Sequence, residues 1–201
     1  MPRLSADFYL REDTVQIAKD LLGKVLVTTF NNQRTAGRIV ETEAYKAPED
    51  KACHAYLNRN TKRTKTMFLP GGVAYIYLCY GIHHLFNVVT GPEGAAHAVL
   101  VRGLEPIEGQ DIMLERRKLD RIKPQLTAGP GVMSMAMGIH KRYDAISLTD
   151  AEGPIWIEDA PNLAADDIQA GPRIGIDYAE ECAAWPWRFF QKDSRWVSRP
   201  R

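Results

Sequence analysis

Apolar residues keep a helical rhythm only near the start of the chain, and most of the remainder is written in the shorter period of β-strands. In residues 14–22, Val15, Ile17, Ala18, Leu21 and Leu22 recur on one helical face, with Asp13 placed to cap the first turn and Gly23 to stop it. Residues 24–30 (KVLVTTF) read as a strand, Asn31 and Asn32 as a turn, and residues 38–45 as the hairpin partner. Periodicity is then lost over residues 46–66, a long polar and basic loop. A second β stretch, residues 73–80 (VAYIYLCY), turns at Gly81 into residues 83–90, and residues 98–104 form a further apolar strand. Residues 107–119 predict a helix ending in a basic cluster. Gly129-Pro130-Gly131 opens a short helix through Met137, since proline suits a first helical turn. Strands over residues 154–157 and 174–177 precede an aromatic tail.

Strands that succeed one another in hairpins, rather than alternating with helices, predict an α+β fold. The expectation is a single domain over residues 1–201, built on a curved, mainly antiparallel β-sheet with surrounding helices and a protruding β-hairpin. Hydrophobic residues make up 45% of the 201, enough for a sizeable core, and there is no apolar run of about 18 residues that would span a membrane. The first residues lack the apolar stretch of a secretory signal. Cys53, Cys79 and Cys182 are odd in number and widely spaced, which suits a reducing compartment: cytoplasmic (nucleoid) or nuclear, and not secreted.

Net charge is only +1, which by itself argues against a polyanionic partner. Its distribution changes that picture. Residues 143–182 carry ten acids and one base, a net of 1 − 10 = −9, which leaves 25 − 15 = +10 on the other 161 residues. Such asymmetry permits one strongly positive face on a nearly neutral protein.

If residues 38–45 are a strand, Glu41, Glu43 and Tyr45 share one face. That face is either solvent-exposed, or the wall of a pocket in which a carboxylate serves as general base. Tyr75, Tyr77 and Tyr80 stud the next β stretch, and Tyr80 beside Gly81 falls at the hairpin tip, where an aromatic has little of its own domain to pack against. A wedge there would fill the gap left by an extruded base. Residues 58–65 (NRNTKRTK) interleave four bases with small hydrogen-bonding side chains, either as a solvated loop or as a grip for phosphates. Arg116, Arg117, Lys118, Arg121 and Lys123 form a second cluster, equally readable as a helix end whose cations suit the macrodipole. The five histidines fit no metal motif, and no nucleotide-binding loop occurs, so neither metal nor cofactor is expected.

These blocks together resemble the alkyladenine (3-methyladenine) DNA glycosylases. The likeness runs through GRIVETEAYKAPEDKACHA, MFLPGGVAYIYLCYGIHHLFNVVT, AVLVRGLEPIEG, TAGPGVMSMAMGI and PRIGIDYAEECAAWPWRFF to a final WVS. ETEAY and YIYLCYG, in order around a basic loop, are specific together and weak alone. The resemblance implies a monofunctional enzyme of base-excision repair, acting as a monomer on double-stranded DNA that contains damaged purines. It implies Glu43 as the base that activates water, with Arg102 and the backbone carbonyl of Ile174 positioning that water. Tyr45, His54 and Tyr77 would form the base slot, Asn87 would disfavour guanine, and Tyr80 would intercalate. Arg59, Thr61, Arg63 and Lys65 would contact the DNA backbone. The chain departs from the family pattern at His83, where another aromatic is common, and at Lys62-Arg63, which lacks an intervening proline.

Overall fold

A computed structural model describes residues 1–199. Eight strands form one antiparallel sheet: β1 (Val25–Phe30), β2 (Gln33–Lys46), β3 (Ala74–Cys79), β4 (His83–Thr90), β5 (His97–Glu108), β6 (Ile155–Glu158), β7 (Ile168–Gly171) and β8 (Arg188–Gln191). Four α-helices accompany it: α1 (Ala6–Tyr9), α2 (Thr14–Asp20), α3 (Gln110–Arg117) and α4 (Pro130–Met137). The main strand order is β3-β4-β5-β2-β1-β6. β2 is long enough to pair with β1 through its first half and with β8 through Glu41, Thr42 and Glu43, while β5 accompanies it along the other side. The architecture is the α+β arrangement expected from the hairpin order.

Period-two alternation divides the sheet into two faces with different tasks. Ala74, Ile76, Phe86, Val88, Val99, Val101 and Ala44 point into the main core, where they meet Ile17, Ala18 and Leu21 of the α2 region and Met133, Ala136 and Met137 of α4. Each large side chain buried there stabilises the fold by about 1.5–3 kcal/mol. The residues between them turn the other way: Tyr75, Val89 and Ala98 meet Ala47, Cys53, Ala55 and Met67 of the long loop in a second, smaller cluster.

Two irregularities set the register in the middle of the sheet. Between β2 and β5 the pairing runs Ile39 with Leu104, Glu41 with Gly103 and Thr42 with Val101, so Val40 and then Arg102 are left without a partner residue. Bulges of this kind re-aim side chains, and here the outcome is that Arg102 projects on the same face as Glu41 and Glu43.

Several boundaries differ from the sequence expectation. Asp13 does cap α2, its carboxylate accepting the Gln16 N–H at 2.9 Å, but the helix ends at Asp20 and Leu21 begins its C-cap. Ile107 and Glu108 continue β5, because the turn falls at Gly109, whose left-handed φ of 69° starts α3. Residues 174–177 are not a strand. Gly175 adopts φ 76°, and the Ile174 N–H is bonded to a side-chain carboxylate instead of a neighbouring strand. The aromatic tail contains β8, which completes the sheet beside β2. Arg116 and Arg117 serve the fold: their guanidinium groups donate to the carbonyls of Ala136, and of Gln125 and Leu126, respectively.

One acid of the 143–182 segment is also structural. Asp144 accepts from the Ile76 N–H at 2.9 Å, from the Thr66 hydroxyl at 3.0 Å and from Lys141 Nζ at 2.6 Å, thereby fastening β3 at the edge of the sheet. Asp144→Ala leaves the buried donors among these unsatisfied. We expect it to lower the unfolding free energy by about 1–3 kcal/mol, measured by urea denaturation, with an unchanged midpoint refuting this role.

Candidate active site

On the second face of the sheet a cleft of about 400 Å3 opens between the long loop, the β3–β4 hairpin and the bend at Ile174 and Gly175. Tyr45, His54, Tyr75 and Tyr77 give it aromatic walls, Asn87, Leu100 and Arg102 contribute from β4 and β5, and Arg63 and Tyr178 stand among its lining residues. The volume lies in the range of small-ligand sites.

Glu43 is completely buried behind this lining, held by residues that do line it. Its Oε1 accepts the Ile174 N–H at 2.7 Å, and its Oε2 accepts the Tyr45 hydroxyl at 2.8 Å and Arg102 Nη1 at 3.2 Å. A carboxylate offers about four acceptor positions. These three donors fill both on Oε2 and one on Oε1, leaving the remaining position on the oxygen next to Ile174. Burial, and then the adjacent Glu43 charge, push the Tyr45 phenol well above its ordinary pKa, so it stays a donor. Burial opposes the charge on Arg102, but Glu43 and Glu41 outweigh it and hold the guanidinium protonated.

The aromatic walls are braced from behind. Arg173 forms a fully buried ion pair with Asp50 at 2.5 Å, donates to the Ala44 and Cys182 carbonyls, and lies 4.7 Å from the centroid of the Tyr45 ring. One face of Tyr45 is thus covered. His54 meets Tyr77 edge-on at 4.6 Å, and Tyr75 lies 5.5 Å from Tyr77. Arg63 only donates, so His54 Nε2, 3.1 Å away, is the acceptor, and Nδ1 carries the hydrogen toward Tyr75 Oη at 3.0 Å. Asn87 spends both amide hydrogens on the carbonyls of Tyr75 and Leu85, at 3.0 and 3.3 Å, which immobilises it in the cleft.

Tyr80 protrudes at the hairpin tip, 92% exposed, on a left-handed backbone with φ 50°. Leu78 and Ile82 flank it, also exposed. Of the basic-loop residues, Arg59, Thr61, Arg63 and Lys65 are all exposed. They are not equivalent. Arg63 turns inward over the Tyr77 ring at 4.9 Å, and the Thr61 hydroxyl bonds within its own turn, to Thr64 Oγ1 at 3.1 Å.

The sequence expectation therefore converges on one place, with Glu43, Tyr45, His54, Tyr77, Asn87, Arg102 and Ile174 all in or directly behind the cleft. Period-two spacing from Tyr77 would have placed Tyr75 there as well. Arg173 and Asp50 carry no local signal. Among the described residues no three His, Cys, Asp or Glu side chains converge to hold a metal ion, and no helix is long and apolar enough to cross a membrane.

An aromatic cleft backed by a buried carboxylate, beside an exposed aromatic tip and a basic loop, has the parts of a base-excising enzyme. Comparison with known proteins gives the class. Residues 7–195 match the family model described as Methylpurine-DNA glycosylase (MPG), and the chain belongs to that family of DNA glycosylases. Curated relatives carry the name "Putative 3-methyladenine DNA glycosylase". One from Chlamydia abortus is 49% identical over 187 residues, covering 92% of this chain and 96% of its own length. Those from Bacillus cereus (45% identical; 93% and 95% covered) and Natranaerobius thermophilus (43%; 98% of each) are similar throughout.

His54 also sets a pH dependence. Burial, and secondarily Arg63, lower its pKa from 6.5 to about 4, so the folded protein resists a proton that the unfolded chain accepts. Stability from this group is full above pH 6.5 and falls as pH drops toward about 4. We expect His54→Phe to flatten that part of the pH–stability curve measured by denaturation; an equally steep decline in the variant would contradict it.

Proposed function

We propose that this protein flips an alkylated purine out of duplex DNA into the aromatic cleft and hydrolyses its N-glycosidic bond with a water activated by Glu43. The observation that carries this reading is the Glu43 carboxylate, held by Ile174, Tyr45 and Arg102 directly behind a cleft large enough for one base.

The arrangement supports the following chemistry. A water bound at the remaining position on Glu43 Oε1, and accepted by the Ile174 carbonyl, attacks C1′ as the C1′–N bond breaks. The bonding pair leaves with the purine, and the water proton passes to Glu43. Negative charge on Glu43 stabilises the cationic sugar that develops. An N3- or N7-methylated purine carries positive charge before cleavage and departs neutral, so 3-methyladenine and 7-methylguanine leave without an acid. Hypoxanthine and ethenoadenine, as neutral bases, need protonation as they leave. Stacking a cationic base against Tyr45 and Tyr77 adds about 0.5–2 kcal/mol of selectivity. Asn87, fixed by two backbone carbonyls, crowds the 2-amino group and so disfavours unmodified guanine, which lacks the positive charge that draws 7-methylguanine into the slot.

Around the cleft, Tyr80 fills the vacated stack, and Arg59, Thr61 and Lys65 track the phosphates, which Arg63 reaches by swinging out from the Tyr77 ring. The described architecture acts as one glycosylase domain, as a monomer, and leaves an abasic site without cutting the strand.

Glu43→Gln should bind methylated duplex DNA and release no base, read by chromatography of free 3-methyladenine and 7-methylguanine. Base release at the wild-type rate would remove Glu43 from the reaction and favour a different use of the cleft. Tyr80→Ala should lose extrusion of the base, read by fluorescence of a reporter base beside the lesion. Retained extrusion would eliminate the wedge. Affinity of the wild-type protein for DNA should also fall steeply as salt is raised.

A further inference from the structure

Glu41 stands two residues before Glu43 on the same face of β2 and is as deeply buried, yet the hydrolysis by Glu43 and water makes no use of it. An ionised carboxylate is costly to bury unless it is paired and hydrogen-bonded. Glu41 receives four donors. Its Oε1 accepts Arg188 Nε at 2.7 Å, the Ser198 hydroxyl at 2.8 Å and Arg102 Nε at 3.2 Å, and its Oε2 accepts the Ser198 N–H at 2.7 Å.

Arg102 is the point on which these contacts converge. Its Nε donates to Glu41, its Nη2 to the Ser198 hydroxyl at 3.3 Å and its Nη1 to Glu43 at 3.2 Å. The Ser198 hydroxyl consequently gives its proton to Glu41 and accepts from Arg102, while Arg188 Nη2 holds the Ser198 carbonyl at 3.0 Å. A guanidinium is a rigid planar fork, so fixing two of its nitrogens fixes where the third points. Arg102 needs that help because the bulge leaves it outside the β2–β5 pairing.

Ser198 reaches Glu41 only because residue 103 is glycine. A Cβ there would lie 2.6 Å from the Trp196 carbonyl oxygen and 3.3 Å from Glu41 Oε2. Trp196 and Ser198 are both buried in this crossing.

We propose that Glu41 and Ser198, supported by Arg188, are positioning residues that hold Arg102 in the orientation from which it engages Glu43. The inference rests on the glycosylase reading, since it assigns how the base that activates water is kept in place.

The test measures single-turnover base release from chemically methylated duplex DNA, together with duplex affinity and thermal unfolding. Glu41→Gln should slow release by about 10- to 100-fold, the scale of a small misplacement at a reacting centre, with duplex affinity within about twofold. Ser198→Ala should slow release by about tenfold, the loss of one hydrogen bond to charged groups, and Ser198→Thr, which keeps the hydroxyl, should restore it. In an Arg102→Lys background, Glu41→Gln should have little further effect, because both changes disable one coupled unit. Multiplicative losses in that double variant, or Glu41→Gln acting at the wild-type rate, would overturn the inference. Glu43→Gln separates the two levels. If it abolishes release while Glu41→Gln does not slow it, the positioning inference fails alone; if Glu43→Gln releases bases normally, the underlying reading fails with it.

Discussion

Two carboxylates on one buried strand face repel each other, and the sharing of Arg102 between Glu41 and Glu43 is the interaction that makes the centre of this sheet possible. Removing one partner from such a cluster leaves an uncompensated charge in a dry interior, at a cost of about 3–5 kcal/mol. That constraint shapes the surroundings. Arg102 must leave the regular ladder to face both acids, so β5 carries a bulge there. Arg188 must come alongside, so β8 pairs with β2 at Glu41, Thr42 and Glu43. The backbone at Ile174 must bring its N–H to Glu43, so the chain bends at Gly175 instead of extending.

The same strands do two incompatible things at once by giving each task a face. One face is packed with aliphatic side chains against α2 and α4 and supplies rigidity. The opposite face carries tyrosines, an asparagine and paired charges around open space. The candidate site sits largely on regular strands, which hold side chains more firmly than loops do. The long loop supplies the remaining wall through His54, and the Asp50–Arg173 pair anchors that loop just ahead of the bend at Ile174 and Gly175.

How far the sequence discloses this depends on the range of the interaction. Elements with an uninterrupted period, such as α2, β1, β3 and β4, were legible, and so were the hairpin tip at Tyr80 and the shared face of Glu43 and Tyr45. Residues 174–177 imitate a strand through alternating isoleucines, but Gly175 permits a left-handed turn that composition alone does not reveal. β8 is only four residues long and hides among aromatics. Resemblance to a family supplied the residues whose roles rest on their neighbours. The bracing partners escaped both routes, because Arg173 lies 123 residues from Asp50, Arg188 lies 147 from Glu41, and Ser198 lies 157 from Glu41. Pairings at such separations exist only after the sheet has closed.

The bare α-carbon of residue 103 constrains how this protein can change. Where most strand positions admit a neighbouring residue type one substitution at a time, this one has no intermediate: even alanine intrudes on the Trp196 carbonyl. An evolutionary route through that position would have to redraw the path of two strands of chain together. The missing methyl therefore couples any change in the path of β5 to the segment that crosses it.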